Sequence, residues 1–200
     1  MAIKFQYNKT YLQSLNRELK IRENALPTLV AKESALRIEV KKARKVVQEY
    51  EFQIEEKLAS IAQTDRLWRE IPEGLISISK VNIQVKKIAG VKTPVLEGVD
   101  FSVSRYSLLS HPAWVPEGLE LLKSIAELKI GLELGRKKLE ILEYARKKTT
   151  QKVNLYEKVQ IPEYNDAIRR IKRFLEDEEN LAKSSQKILK TKTAVAEAAT

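Results

Sequence analysis

The sequence predicts a mainly α-helical chain: a long antiparallel two-helix coiled coil from the N- and C-terminal segments, with a small β-hairpin insert at the end opposite the termini. Three observations carry this. Gly and Pro number six each in 200 residues, about half their usual share. These breakers are concentrated in residues 72–118, leaving only Pro27 before that stretch and Gly131, Gly135 and Pro162 after it. On either side, apolar residues recur at the 3.5-residue period of a coiled-coil seam.

The first helix has a readable start, with Thr10 as the N-cap and Gln13 at capping-box distance. Stepping three and four from Leu12 gives Leu15, Leu19, Arg22, Leu26, Leu29, Glu33, Leu36, Val40, Ala43, Val47, Tyr50, Ile54, Lys57, Ile61, Thr64 and Trp68. All but Arg22, Glu33, Lys57 and Thr64 are apolar, and most intervening positions are charged or polar. A stripe this narrow is a seam between two helices, not the wider face of a globular-core helix. Glu18→Arg22, Glu33→Arg37 and Asp65→Arg69 place acid before base at i,i+4, the favourable order on a helix. Pro27 lacks an N–H and should bend the helix or mark a restart near Leu26.

The insert alternates as strands do. Ile76 and Ile78 share one side with Lys80, Asn82 and Gln84, while Val81, Ile83 and Val85 fall on the other, so a register change is expected near Ser79–Lys80. Val99, Phe101 and Val103 alternate on the far side of Gly90-Val91-Lys92-Thr93-Pro94, which reads as the hairpin turn. A bare hairpin is marginal, so this one must lean on the helices or a partner. His111, beside Pro112 and Trp114, reads as a loop residue.

The second helix should start near Pro116, whose missing N–H has no partner in a first turn anyway. Its seam runs Leu121, Ile125, Leu128, Leu132, Gly135, Leu139, Leu142, Arg146, Thr149, Val153, Tyr156. It then slips by one residue and resumes at Ile161, Tyr164, Ile168, Ile171, Leu175, Glu178 and Ala182. The slip beside Pro162 predicts a kink or stutter. Gly131 and Gly135 have the small-xxx-small spacing that lets helices approach closely. The segments are therefore 1–71 (N-terminal coiled-coil helix), 72–116 (insert) and 117–200 (C-terminal coiled-coil helix, with a tail that frays beyond Leu189).

Several chemistries are excluded. With no Cys there is no disulfide, thiol nucleophile or Cys-ligated metal, and the single His, His111, cannot build a two-imidazole site. Gly131-Leu-Glu-Leu-Gly135-Arg-Lys misses the phosphate-loop spacing and lies inside a helix. Glu176-Asp177-Glu178-Glu179 points in several directions around a helix and reads as a solvated face. No catalytic residue, cofactor site or metal site is expected. No apolar run approaches a signal sequence or a membrane span, which points to a soluble, cytoplasmic chain that can still be attached to a membrane complex through other subunits.

Lys+Arg number 37 against 27 Asp+Glu, a net charge of +10. The blocks Lys41-Lys42-Ala43-Arg44-Lys45, Arg136-Lys137-Lys138, Arg146-Lys147-Lys148 and Arg169-Arg170-Ile171-Lys172-Arg173 sit at intervals along both helices. A basic rod can bind nucleic acid, yet no aromatic residues interleave for base stacking. An acidic protein surface accounts for the same pattern. The residues alone leave open a coiled-coil adaptor or scaffold without a mechanical role and a basic nucleic-acid-binding rod.

One resemblance covers essentially the whole chain. Val153-Asn154-x-x-Glu157-x-Val159-x-Ile161-Pro162, then Ile168-x-x-Ile171-x-x-x-Leu175-Glu176 and the acidic run to Glu179, resembles the C-terminal signature of the D subunits, the central rotor shafts of V-type (V/A-type) ATPases and ATP synthases. Leu26-Pro27-Thr28-Leu29 and Gly90-Val91-x-x-Pro94 are similar to further segments of that family. The chain departs from it at Gln151-Lys152, where the family often has two Arg, and in the placement of Leu155. The resemblance implies a non-catalytic rotor shaft that carries torque between the A/B catalytic head and a membrane ring, coupling ATP hydrolysis or synthesis to H⁺ or Na⁺ transport. The implied partners are the A and B subunits of the head, the F subunit of the central stalk and the funnel-shaped subunit on the membrane ring, without nucleic acid. The implied place is the cytoplasmic face of the membrane. Val153, Asn154, Glu157, Ile161, Pro162, Arg169, Arg170 and Arg173 are the expected partner contacts.

Overall fold

A computed structural model describes residues 6–62, 65–68, 74–106 and 112–198. The elements in chain order are α1 (Lys9–Ala62), the short α2 (Asp65–Trp68), strands β1 (Ile76–Ile88) and β2 (Val91–Val103), α3 (Val115–Leu155), a π-turn (Tyr156–Gln160) and α4 (Ile161–Ala198). The segment limit at Ile71–Pro72, the loop assigned to His111, seam position Thr64 and the Asp65→Arg69 pair lie outside the described residues. The chain forms a helical coiled coil with a two-stranded antiparallel hairpin. It divides into two compact units, Met1–Ala31 with Thr149–Thr200, and Lys32–Lys148.

In the first unit, Leu15 and Leu19 of α1 bury against Tyr164, Ala167, Ile168 and Ile171 of α4, with Leu12, Ile161 and Leu175 packed around them. The helices are antiparallel, since Arg22 meets Gln160 while the Tyr7 ring packs tilted against Phe174, centroids 4.7 Å apart. The N-cap is Asn8, not Thr10: the Asn8 side-chain oxygen accepts the Tyr11 N–H at 2.6 Å. Asn is the stronger capping residue, and capping at Asn8 turns Thr10 into an ordinary first-turn position. α1 continues without a break through Pro27. That proline is exposed, so the carbonyl it leaves unpaired can turn to water. Beyond Leu175, α4 runs on to Ala198 with residues 176–194 all exposed.

In the second unit, Leu36, Val40 and Ala43 of α1 bury with Leu142 of α3, and Lys57 donates to the Ser124 hydroxyl at 2.8 Å. Arg44–Glu143 and Arg136–Glu51 bridge the same two helices, each at 2.6 Å. Gly131 and Gly135 make the close approach possible. A Cβ at Gly131 would lie 3.1 Å from the Tyr50 ring, and one at Gly135 would lie 3.3 Å from Val47. Along α1, Glu18–Arg22 in the first unit and Glu33–Arg37 in the second form as the i,i+4 spacing requires, at 3.2 and 3.0 Å.

The hairpin lies back along these helices. At its tip, Ile88, Ala89 and Val91 pack against the Leu36–Leu142 cluster. At its base, Ile76 joins Leu75, Val115 and Leu119 beside Tyr106 and Trp114. Between them, Pro94, Val95 and Leu96 border a cavity of about 140 Å³ with Tyr50, Gly131 and Gly135. The turn is the pair Ala89–Gly90, both at positive φ (49° and 78°), and residues 91–94 already belong to β2. The turn expected at Gly90–Pro94 is thus shorter and begins one residue earlier. Two residues at positive φ match the twist of paired strands, which an ordinary type I or II turn would splay.

Two register shifts keep the hairpin faces distinct. Ser79 is unpaired between Ile78↔Phe101 and Lys80↔Asp100, and Glu97 is unpaired between Asn82↔Gly98 and Ile83↔Leu96. Each extra residue flips the alternation of its own strand. Pairs Ile76/Val103, Ile78/Phe101, Val81/Val99, Ile83/Leu96 and Val85/Pro94 therefore fall on one face. Ser77/Ser102, Lys80/Asp100, Asn82/Gly98 and Lys86/Thr93 fall on the other. The register change expected near Ser79–Lys80 is the first of these bulges.

Candidate partner-contact surface

From Tyr156 the seam needs five residues, not four, to reach Ile161. An α-helix turns ~100° per residue, so one surplus residue would rotate everything downstream off the seam by about that angle. The chain absorbs the surplus in a single π-turn, Tyr156–Gln160, closed by the Ile161 N–H donating to the Tyr156 carbonyl. A π-turn holds one more residue than an α-turn, so Ile161, Tyr164, Ile168 and Ile171 return to the seam and pack there. The stutter expected beside Pro162 takes this form.

The predicted contact residues spread around this turn. Val153 near the end of α3 and Ile161 at the start of α4 are half-buried, whereas Asn154, Glu157 and Pro162 are exposed. Ile161 therefore serves the seam as well as any outside contact. Asn154 and Glu157 are not held inward, although nothing in a heptad calls for Asn at that position. Arg169, Arg170 and Arg173 are exposed on α4. Arg169 lies 3.6 Å from Asp166 one turn back.

A polar group inside the seam is not foreseen from the sequence. Tyr164 donates its hydroxyl to the Glu18 carboxylate at 2.5 Å. The Arg22 guanidinium lies over the Tyr164 ring at 4.5 Å, contacts Glu18 at 3.2 Å and donates through Nε to the Gln160 side-chain oxygen at 2.9 Å. Burial, and then the hydrogen bond to Glu18, push the Tyr164 hydroxyl above its ordinary pKa against the opposing pull of Arg22. The available signal was a pair of polar-tipped residues, Arg22 and Tyr164, at seam positions of the two helices. Because Gln160 is the last residue of the π-turn, Arg22 ties α1 to the place where α3 gives way to α4. Such an arrangement fixes helix register. No helix among the described residues is long and apolar enough to cross a membrane.

Comparison with known proteins finds relatives over most of the chain. The family of ATP synthase D subunits matches residues 11–191. A protein of Borreliella burgdorferi, named as the D subunit of a V-type ATP synthase, is 30% identical over 94% of this chain and 94% of its own length. Proteins of the same name from Chlamydia pneumoniae and Chlamydia felis are 29% and 32% identical, over 88% and 78% of this chain and 87% and 77% of their own.

Proposed function

The chain belongs to the family of ATP synthase D subunits, and from that premise we propose that it is the central-stalk shaft of a V-type ATPase or ATP synthase. It carries torque and takes no part in the bond-making chemistry. The observation that carries this reading is the paired seam, closed by Leu15/Leu19 with Ile168/Ile171 in one unit and by Leu36/Val40 with Leu142 in the other. Torque needs two strands that cannot slip past each other, and catalysis needs nothing of the kind.

In this reading the catalytic head of A and B subunits surrounds part of the coiled coil, while the F subunit and the funnel-shaped subunit of the membrane ring hold it elsewhere. The complex sits on the cytoplasmic face of the membrane and couples ATP hydrolysis or synthesis to H⁺ or Na⁺ movement. Val153, Asn154, Glu157, Ile161 and Pro162 contribute contacts around the π-turn. Arg169, Arg170 and Arg173 present positive charge on one stretch of α4, so the catalytic sites around a turning shaft would meet different surfaces in succession.

Co-expression with candidate A, B and F subunits tests the proposal. The expected result is a stoichiometric complex with nucleotide-dependent ATPase activity, in which neutralising Arg169, Arg170 and Arg173 together alters coupling. A chain that purifies alone, or that instead binds nucleic acid with affinity collapsing in salt, would overturn it.

A further inference from the structure

On one face of the hairpin the rest of the chain leaves Ile78, Ile83 and Val85 exposed. Ile76, Ile78, Val81, Ile83 and Val85 of β1 align with Val103, Phe101, Val99, Leu96 and Pro94 of β2. Without the bulges at Ser79 and Glu97 these residues would divide between the two sides. Toward the tip, the opposite face is the one that packs inward: Thr93 is fully buried, and Ile88 and Val91 join the helix cluster. On the apolar face Ile76 packs at the base, and Val85, Ile78 and Ile83 are left outward, 61%, 50% and 49% exposed. Solitary exposed apolar residues are ordinary on a protein surface, but a continuous row of them marks an interaction site.

Two features specify the occupant. The face is two strands wide, roughly 10 Å across, which is the diameter of one α-helix with its side chains. Its tip end is closed by the cross-strand pair Lys87/Lys92 on the same side, with Lys86 exposed beside them. No acidic residue occupies a paired position on this face, so two copies set face to face would gain apolar contact without any acid to meet their lysines. We propose that the outward face of the hairpin docks an amphipathic helix of a partner protein, its apolar stripe on Ile78, Ile83 and Val85 and its flanking acidic residues at Lys87 and Lys92. The site lies outside the π-turn and the α4 arginines, and it is read on the isolated chain, independently of whether the chain turns in a rotary complex.

The absence of native cysteine allows a single reporter. Val85→Cys carries an environment-sensitive fluorophore, and Lys80→Cys on the polar face serves as control. The probe is a synthetic helical peptide with Leu at its a and d positions and Glu at the flanking positions, set against the same peptide with Lys replacing Glu. The expected result is a blue shift at position 85 but not at 80, with the Glu peptide only. Added to the reporter chain, Ile83→Thr should weaken binding by about tenfold, the scale of an interface anchor, with the far-UV circular dichroism unchanged. Lys87→Glu with Lys92→Glu should invert the preference between the two peptides. Equal response to both peptides, indifference to Ile83→Thr, or a position-85 shift produced by phosphatidylglycerol vesicles and not by the peptide would overturn the proposal. So would a sedimenting dimer that shields position 85 without peptide.

Discussion

Deleting Val159 should leave the first unit standing, whereas deleting Asp166 should open it. Val159 lies within the π-turn, where one residue is surplus to the seam. Its removal converts a five-residue step into a four-residue step, and Ile161 keeps its place relative to Val153 and Tyr156. The comparison is best made in a Pro162→Ala background, so that closing the turn does not place a proline inside an uninterrupted α-helix. Asp166 is an exposed residue between the seam positions Tyr164 and Ile168, and its removal turns every later residue by ~100°. Ile168 and Ile171, 7% and 0% exposed, would then leave the interface. Burying one such side chain is worth about 1.5–3 kcal/mol, so the Asp166 deletion should cost about 3–6 kcal/mol. The Val159 deletion should stay within about 1 kcal/mol of its background, the scale of a single hydrogen bond. Urea unfolding followed at 222 nm gives the totals, and amide exchange at Ile168 and Ile171 reports this unit specifically. Equal losses for the two deletions would refute the phase argument.

Leu142→Ala removes a fully buried side chain beside Leu36 and the hairpin tip. It should cost about 3 kcal/mol and accelerate amide exchange at Ile88 and Val91, while exchange at Ile168 stays put. Ala89 sits at φ 49°, where L-residues are strained, so Ala89→Gly should raise stability by about 0.5–1 kcal/mol, read as a higher urea midpoint. Tyr164 holds its proton more tightly folded than unfolded. Its contribution is therefore complete below its ordinary pKa of 10.0 and is lost as the pH rises through the folded value. Tyr164→Phe should flatten that alkaline loss, measured as melting temperature against pH from neutral upward.

Much of the seam could be read from spacing alone, because burial in a two-helix interface has few solutions. Arg22, Glu33 and Lys57, the polar exceptions, sit half-buried like their apolar neighbours, so geometry placed them there in spite of their chemistry. What spacing cannot supply is which residue of one helix faces which of the other. The Glu18–Tyr164–Arg22–Gln160 group depends on that pairing and stayed invisible, although Arg22 and Tyr164 each stand on a seam. Local backbone chemistry was harder. The Ala89–Gly90 turn was masked because Ala rarely adopts positive φ, and Asn8 was passed over for Thr10 because the latter also completes a capping box. One bulge was foreshadowed by the broken alternation at Ser79–Lys80. The other, at Glu97–Gly98, left no such mark, since Val95, Leu96, Val99 and Phe101 look apolar in either register. For the partner contacts, exposure of Asn154, Glu157 and the α4 arginines is what a binding surface needs, but exposure alone names no partner.

The polar residues in the seam bear on what such a pairing is for. Two uniform apolar ribbons can slide by a heptad and bury nearly the same surface, so burial alone leaves the register open. Arg22 meets Gln160, Glu18 and Tyr164 at once, and Lys57 meets Ser124. After a slide Arg22 would keep only Glu18 of its own helix, while Lys57 would lose Ser124, and a half-buried charge stripped of partners is costly. Polar seam positions that trade stability for register are a known device of coiled coils. The π-turn adds a second landmark, because Arg22 of α1 reaches Gln160, its last residue. A protein meant only to hold two partners at a distance would function with either register. One meant to transmit a twist would not, since every slip between the strands would be rotation lost before it reached the other end.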